Sequence, residues 1–367
     1  MKIAIVGTRG IVSSYSGVEA SVSEIVKRLD KGSYRITVYC RKAKDNKAGG
    51  NIYNNIKLIY IPTIETKHLA TILHTFISAI HALFSGNDIV HFHCLGPALF
   101  SFLPGLFGKK AVVTIHALDW KRKKWGILSR LFLKLCEYPA IWFPHRTIVV
   151  SKVLRDYFEN KFGKKVYYIP NGVSFDSCPA RDDHRLENGR YILFVGRLVP
   201  EKGIHYLIKA FNELKTDFKL IIAGEPSFTG KYFKHLKEIS GKNVRFVGFV
   251  EKNMLKDLYQ RAYLFVLPSD VEGLPVSLLE GMSYGKCVLT SDIPECVEVT
   301  GSLGVYFKVG DYLDLKDKLN YLINNPDLIK EKGAILRKWV FETYEWDKIA
   351  EGMGQIYTSL FMKKWKK

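Results

Sequence analysis

No stretch of this 367-residue chain reaches the ~18 consecutive apolar residues that a membrane-spanning helix needs. The nearest candidate, residues 70–84, is interrupted by His74, Thr75, Ser78 and His81. The apolar run at Ile3–Val6 is too short for a signal peptide, so the sequence predicts a chain that stays on one side of the membrane. Paired cysteines are missing too. The six present (Cys40, Cys94, Cys136, Cys178, Cys287, Cys296) never form C-x-x-C, which excludes a zinc-finger or disulfide framework and predicts free thiols in a reducing cytoplasm. His91 and His93 alternate along one segment, but no third ligand stands at metal-like spacing, so no metal is expected. Solenoid repeats and low-complexity segments are absent. Acidic residues are few: 36 Asp and Glu face 55 Lys and Arg, a net charge of +19. Residues 1–180 hold 26 basic and 11 acidic side chains, whereas 181–367 hold 29 and 25. Four of the latter excess are Lys363, Lys364, Lys366 and Lys367. Such asymmetry fits nucleic acid, an anionic membrane surface or a phosphorylated substrate, and equally a solubilising surface. The basic residues interleave with no nucleic-acid module, so nucleic acid is not the expected partner.

What is present is ordinary globular composition, 47% hydrophobic and 25% charged, at a length that suggests two domains. Short apolar runs alternate with amphipathic stretches. The first half gives strands at Lys2–Val6, Ile36–Cys40, Lys57–Ile61, Ile89–His93, Ala111–His116, Thr147–Val150 and Val166–Ile169. A second set follows at Tyr191–Val195, Lys219–Ala223, Val244–Val247, Leu264–Leu267, Val288–Ser291 and Val305–Phe307. Continuous apolar strands joined by helical crossovers imply buried parallel sheets. The expected class is α/β: two facing Rossmann-like domains, residues 1–173 and 191–345, joined by a polar linker at 174–190. Ligands then belong in a crevice at the carboxyl ends of the strands.

The strongest chemical signal is Glu272-Gly-Leu-Pro-Val-Ser-Leu-Leu-Glu280. Pro275 suits the first turn of a helix, which puts Gly273 and Leu274 at its positive end, ready for an anion. Glu272 and Glu280 can accept hydrogen bonds from sugar and ribose hydroxyls. Gly196-Arg197-Leu-Val-Pro-Glu-Lys202-Gly follows a strand, so Arg197 and Lys202 can clamp phosphate; a solvated charged turn is the plain alternative. Gly7-Thr-Arg-Gly10 and Ser16-Gly17 permit close backbone approach to a ligand, without the G-x-G-x-x-G of a dinucleotide site. His116 ends a strand, where it can bond a substrate hydroxyl or serve structure alone. Lys121, Arg122, Lys123, Lys124 and Trp125 lead into a helix at 126–143 whose Ile127, Leu128, Leu131, Phe132, Leu135 and Cys136 share a face. That pattern suits an anionic lipid surface or a core-facing helix with a basic cap.

These motifs, with Ile169-Pro-Asn-Gly-Val173 and Ser291-Asp-Ile-Pro-Glu295, resemble the retaining glycosyltransferases of family 4, and the resemblance covers nearly the whole chain. Pro62–His68, Ile89–His93 and Val113–Trp120 resemble bacterial members that build surface polysaccharides. The resemblance implies a GT-B fold with an interdomain donor cleft, and a last segment, 346–367, that crosses back to the first domain. It implies that Arg197 and Lys202 bind the donor diphosphate, that Glu272 lies near the donor sugar, and that Glu280 bonds the ribose. Gly10, Gly17, Gly196, Gly273, Leu274 and Pro275 line the donor site, and His116 is a first-domain active-site residue. Ser16-Gly17 stands where relatives often have two glycines. No Asp-x-Asp occurs, in keeping with a reaction that needs no metal or other cofactor. The implied partners are a nucleotide-sugar donor, a lipid-linked glycan acceptor and an anionic membrane surface, with the protein cytoplasmic and peripheral. An epimerase or phosphorylase on the same fold is the alternative enzyme, and a basic nucleic-acid-binding protein the alternative outside enzymes.

Overall fold

The computed structural model describes residues 1–11, 17–29, 34–42, 52–63, 69–123, 125–174, 190–227 and 229–362. The chain divides into two compact units. The first holds residues 1–121, 125–171 and 346–367, and the second 122–124 and 172–345.

The first unit is built on eight strands: β1 (Lys2–Val6), β2 (Arg35–Lys42), β3 (Ile52–Tyr53), β4 (Ile56–Pro62), β5 (Ile89–His93), β6 (Lys110–Ile115), β7 (Arg146–Val149) and β8 (Tyr167–Tyr168). Their order is β3-β4-β2-β1-β5-β6-β7-β8. All neighbours are parallel except β3 and β4. Every residue of β5 is buried, as expected for a strand covered on both faces. The sequence reading missed β3. Its signal was Asn54-Asn55, which take φ of 48° and 65°, as a two-residue hairpin turn requires and asparagine tolerates. The helix Gly17–Leu29 buries Val22, Ile25, Val26 and Leu29. Chain start and chain end meet here: Trp346, Ile349, Met353, Ile356 and Tyr357 of helix Trp346–Ser359 share one core with Ile3, Val26 and Ile36. The Tyr34 hydroxyl donates to the Gly354 carbonyl at 3.1 Å, and Arg28 pairs with Asp347 at 2.6 Å.

The helix expected over 126–143 is two helices, Ile127–Leu135 and Glu137–Trp142. Pro139 explains the break. In one continuous helix its ring would strike the carbonyl of Leu135, and it has no N–H to donate there. Of the expected shared face, Ile127, Leu128, Leu131 and Leu135 are turned outward, 55–85% exposed, whereas Phe132 is half-buried and Cys136 buried.

The second unit carries β9 (Tyr191–Val195), β10 (Lys219–Ala223), β11 (Val244–Gly248), β12 (Leu264–Leu267), β13 (Val288–Ser291) and β14 (Val305–Phe307). All are parallel, in the order β11-β10-β9-β12-β13-β14. In both sheets the first strand in sequence lies inside the order, so the winding reverses beside it: between β1 and β5, and between β9 and β12. Such switch points open a crevice beyond the strand ends. The linker expected at 174–190, Ser16, Lys124 and the basic tail Lys363–Lys367 lie almost wholly outside the described residues. Among the described residues, Cys40, Cys136, Cys287 and Cys296 are buried thiols. Burial pushes Cys40 up to about 11 and Cys136 and Cys287 up to about 12, too high for a reactive thiolate. No described helix is long and apolar enough to cross a membrane.

Candidate active site

Two loops meet at the β9/β12 switch point. The loop after β9 runs through Gly196 and Arg197 into a 3-10 turn, Pro200–Lys202. Gly203 then takes φ +65° and starts helix Ile204–Asn212; a Cβ there would stand 1.8 Å from the Pro268 carbonyl oxygen. Only glycine lets this turn lie against the end of β12. The Asp270 amide donates to the Glu201 carbonyl at 2.9 Å, tying the two loops together.

That docking brings Lys202 to Glu272. Lys202 Nζ donates to Glu272 Oε1 at 2.5 Å, with only 14% and 9% of the two side chains exposed. Ser269 Oγ donates to the same oxygen at 2.6 Å, and Ser291 Oγ donates to the Ser269 carbonyl at 2.5 Å. Glu272 is thus fixed from both sides before any ligand arrives, which is the preorganisation that charge stabilisation requires. Gly273, Leu274 and Pro275 are buried and lead into helix Val276–Ser283. Pro275 sits one position earlier than the sequence predicted, as the cap rather than the first helical residue. The amides of Gly273 and Leu274 stand at the positive end of this helix.

Glu280 lies one turn inside the helix, where Tyr259 donates to its Oε2 at 3.0 Å. Tyr259 is fully buried and stacks on Tyr284 with ring centroids 5.4 Å apart. Burial, and then the Glu280 charge, raise the Tyr259 phenol well above its usual value, so it stays a donor. Sequence reasoning did not single out Tyr259 or Ser269; both occur in ordinary strand-and-helix contexts with no motif of their own. Glu201 was noted only as part of its motif. Its side chain is 2% exposed, and neither carboxylate oxygen has a hydrogen-bond partner among the described residues. Arg197, at the mouth of the β9 loop, is half-buried.

The other candidates belong to the first unit. Gly7 leaves β1 with φ +93°, and a Cβ there would meet the His93 carbonyl at 2.7 Å. Gly10 follows in the same loop, beside Cys40, and Gly17 is the exposed first residue of its helix. The Arg9 amide donates to Glu19 Oε1 at 3.3 Å, which ties this loop to that helix. His116, after β6, is 9% exposed. Its Nε2 lies 3.0 Å from Nδ1 of His93, with the rings stacked. His93 in turn lies against His91, ring centroids 4.3 Å apart. Nδ1 and Nε2 of His91 sit 2.6 Å from the Tyr357 hydroxyl and 2.7 Å from that of Thr114. Burial holds His91 down at about 3 and His93 well below its usual value, so both stay neutral. Nε2 of His93 is buried without a hydrogen-bond partner among the described residues. A bare lone pair there costs less than an orphaned N–H, which favours the neutral His93 donating from Nδ1 to Nε2 of His116. Sequence reasoning weighed His91 and His93 only as a metal pair and set that reading aside; in the fold His93 packs directly against His116.

The basic residues at 121–125 do not act as one cluster. Lys121 is exposed, with Nζ 5.9 Å above the Trp120 ring. Arg122 and Lys123 count with the second unit, where Lys123 Nζ donates to Asp270 Oδ2 at 2.7 Å. That hydrogen bond outweighs partial burial and raises the ammonium's pKa. Trp125 is half-buried. Among the described residues no three His, Cys, Asp or Glu side chains are placed to hold a metal ion.

Comparison with known proteins agrees with this architecture. The glycosyl transferases group 1 profile matches residues 179–339, and the Glycosyltransferase Family 4 profile matches 15–177. The uncharacterized glycosyltransferase MJ1178 of Methanocaldococcus jannaschii is 25% identical, over 94% of this chain and 95% of its own. D-rhamnosyltransferase WbpZ of Pseudomonas aeruginosa is 27% identical over 67% of each. Sucrose-phosphate synthase from Thermosynechococcus elongatus superposes with a TM-score of 0.84 at 19% identity, over 98% of this chain and 99% of its own. Anabaena Alr3699/HepE, solved with UDP and glucose, gives 0.80 at 17%, over 98% and 100%. The two profiles between them span most of the sequence, the fold is GT-B, and the chain belongs to the family 4 glycosyltransferases.

Proposed function

We propose that this glycosyltransferase moves a sugar from a nucleotide-sugar donor, with UDP as the favoured nucleotide, to a lipid-linked glycan acceptor in the assembly of a bacterial surface polysaccharide. The observation that carries the reading is the Lys202–Glu272–Ser269 cluster at the β9/β12 switch point, beside a helix N-terminus. A cation, oriented backbone amides and two fixed carboxylates suit a diphosphate flanked by two hydroxyl-rich rings. Lys202 and Arg197 take the diphosphate, Glu272 a donor-sugar hydroxyl, and Glu280, held by Tyr259, the ribose. As the sugar–phosphate bond breaks, negative charge grows on the leaving phosphate. Lys202, Arg197 and the helix N-terminus stabilise it, and no general base is needed if that phosphate takes the acceptor proton. The transfer retains the anomeric configuration, with no resident metal. UDP in the Anabaena structure supports the choice of nucleotide, and WbpZ's naming as a D-rhamnosyltransferase supports a hexosyl donor.

A thermal-shift screen of UDP-, GDP- and dTDP-sugars identifies the donor, because a ligand that binds the native state raises the unfolding midpoint. Nucleoside diphosphate release that depends on a lipid-linked acceptor then establishes transfer. Conversion of the donor without acceptor would instead establish an epimerase.

A further inference from the structure

We propose that helix Ile127–Leu135 and the aromatic surface continuing from it form an insertion face for an anionic lipid bilayer. This deepens the membrane-linked reading above and rests on it for the partner. At 100° per residue, Ile127, Leu131, Leu135 and Leu128 fall within about 100° of arc, a continuous stripe. In a helix of a soluble core that stripe faces inward. Here Ile127 and Leu128 are 85% and 83% exposed, and Leu131 and Leu135 are 55% and 56% exposed. The helix is seated by another side, through half-buried Leu133 beside Gly96. Arg130 and Lys134 border the stripe.

The apolar surface continues past Cys136. Trp142 and Phe143 are 56% and 54% exposed, Phe143 meets Phe102 at 5.9 Å between centroids, and Phe107 meets Phe84 at 5.6 Å. Exposed apolar side chains clustered in this way mark an interaction site. Its charge selects the partner. Leaving aside 122–124, the stretch 76–143 carries Lys109, Lys110, Lys121, Arg130 and Lys134 against Asp88, Asp119 and Glu137. Glu137 is fully buried and paired with Lys161. Lysines also sit over the tryptophans: Lys134 Nζ lies 5.3 Å above Trp120, and Lys164 Nζ 5.4 Å above Trp142. Aliphatic tips, ring-stacked ammonium groups and one dominant sign of charge match the acyl boundary, the carbonyl layer and the anionic headgroups in turn. A second copy of the chain would bring the same positive sign to the opposing face, which disfavours self-association.

The test uses the full chain and sedimentation with vesicles of phosphatidylcholine, alone or with 30% phosphatidylglycerol. The wild type should bind the anionic vesicles at least about tenfold more tightly. The variant Ile127→Ser/Leu128→Ser/Leu131→Ser should lose about tenfold or more of that binding, with an unchanged melting temperature because the side chains removed are exposed. Wild type that ignores anionic vesicles, or a variant that binds like wild type, would overturn the proposal. A concentration-dependent dimer abolished by the same substitutions would overturn it in favour of self-association. Turnover of a water-soluble acceptor analogue should be equal in both proteins. Its absence in both would defeat the transferase reading while leaving the vesicle result standing.

Discussion

The two sheets offer the same switch-point geometry, but different forces hold the side chains beside it. In the second unit the lock is ionic: Lys202 and Ser269 converge on one oxygen of Glu272. In the first unit the lock is neutral: His91 and His93 are packed ring against ring, buried and uncharged, with His93 stacked on His116. A charged cradle suits a group whose charge changes during reaction. A neutral one suits fine positioning without a competing field.

Breaking the charged half should have the larger effect. If Lys202 is the diphosphate clamp proposed above, Lys202→Ala should lower transfer by about 10²–10³-fold, read as nucleoside diphosphate release under saturating acceptor. Gly203→Ala attacks the docking of the two loops. Its methyl cannot coexist with the Pro268 carbonyl at 1.8 Å, and φ is positive, so denaturant unfolding should show a loss of about 3 kcal/mol or more.

The neutral half should answer to pH. Because the folded histidines resist protonation, their contribution to stability is complete above the unfolded value of about 6.5. It is lost as pH falls below that, when the unfolded chain takes up protons that the folded chain refuses. The slope is up to about 1.4 kcal/mol per pH unit for each histidine, extending toward pH 3 for His91. Urea midpoints between pH 7.5 and 5 measure it. In His93→Gln the slope should flatten, whereas an unchanged slope would assign the dependence elsewhere. His74, buried and lowered to about 4, contributes in the same direction and remains in both proteins.

A smaller effect sharpens the second unit's interior. Tyr259→Phe removes the donor to Glu280 while keeping the ring stack, so stability should fall by about 1 kcal/mol. On the proposed role of Glu280 at the ribose, donor KM should rise several-fold with little change in kcat, because that ring is remote from the bond that breaks.

The same contrast explains what was legible in the sequence. Strand positions were readable to within a residue or two, since parallel strands buried on both faces are uninterrupted apolar runs. The carboxylate and lysine motifs were readable because charge is scarce in such runs. The Lys202–Glu272 bond itself was not, as it spans seventy positions and depends on Gly203 meeting Pro268. The histidine stack was hidden because β5 and β6 lie beside each other only in the folded sheet. The break at Cys136 was written in Pro139, which the periodicity of the apolar residues outweighed. Charge counted along residues 121–125 suggested a single basic cluster, yet Lys123 turns to Asp270.

The central claim is that the β9/β12 switch point is the donor site, and calorimetric titration with UDP tests it most directly. Wild type should bind UDP, and Lys202→Ala and Glu280→Gln should each weaken binding by about tenfold or more, through different ends of the nucleotide. Wild-type affinity in both variants would place the donor elsewhere.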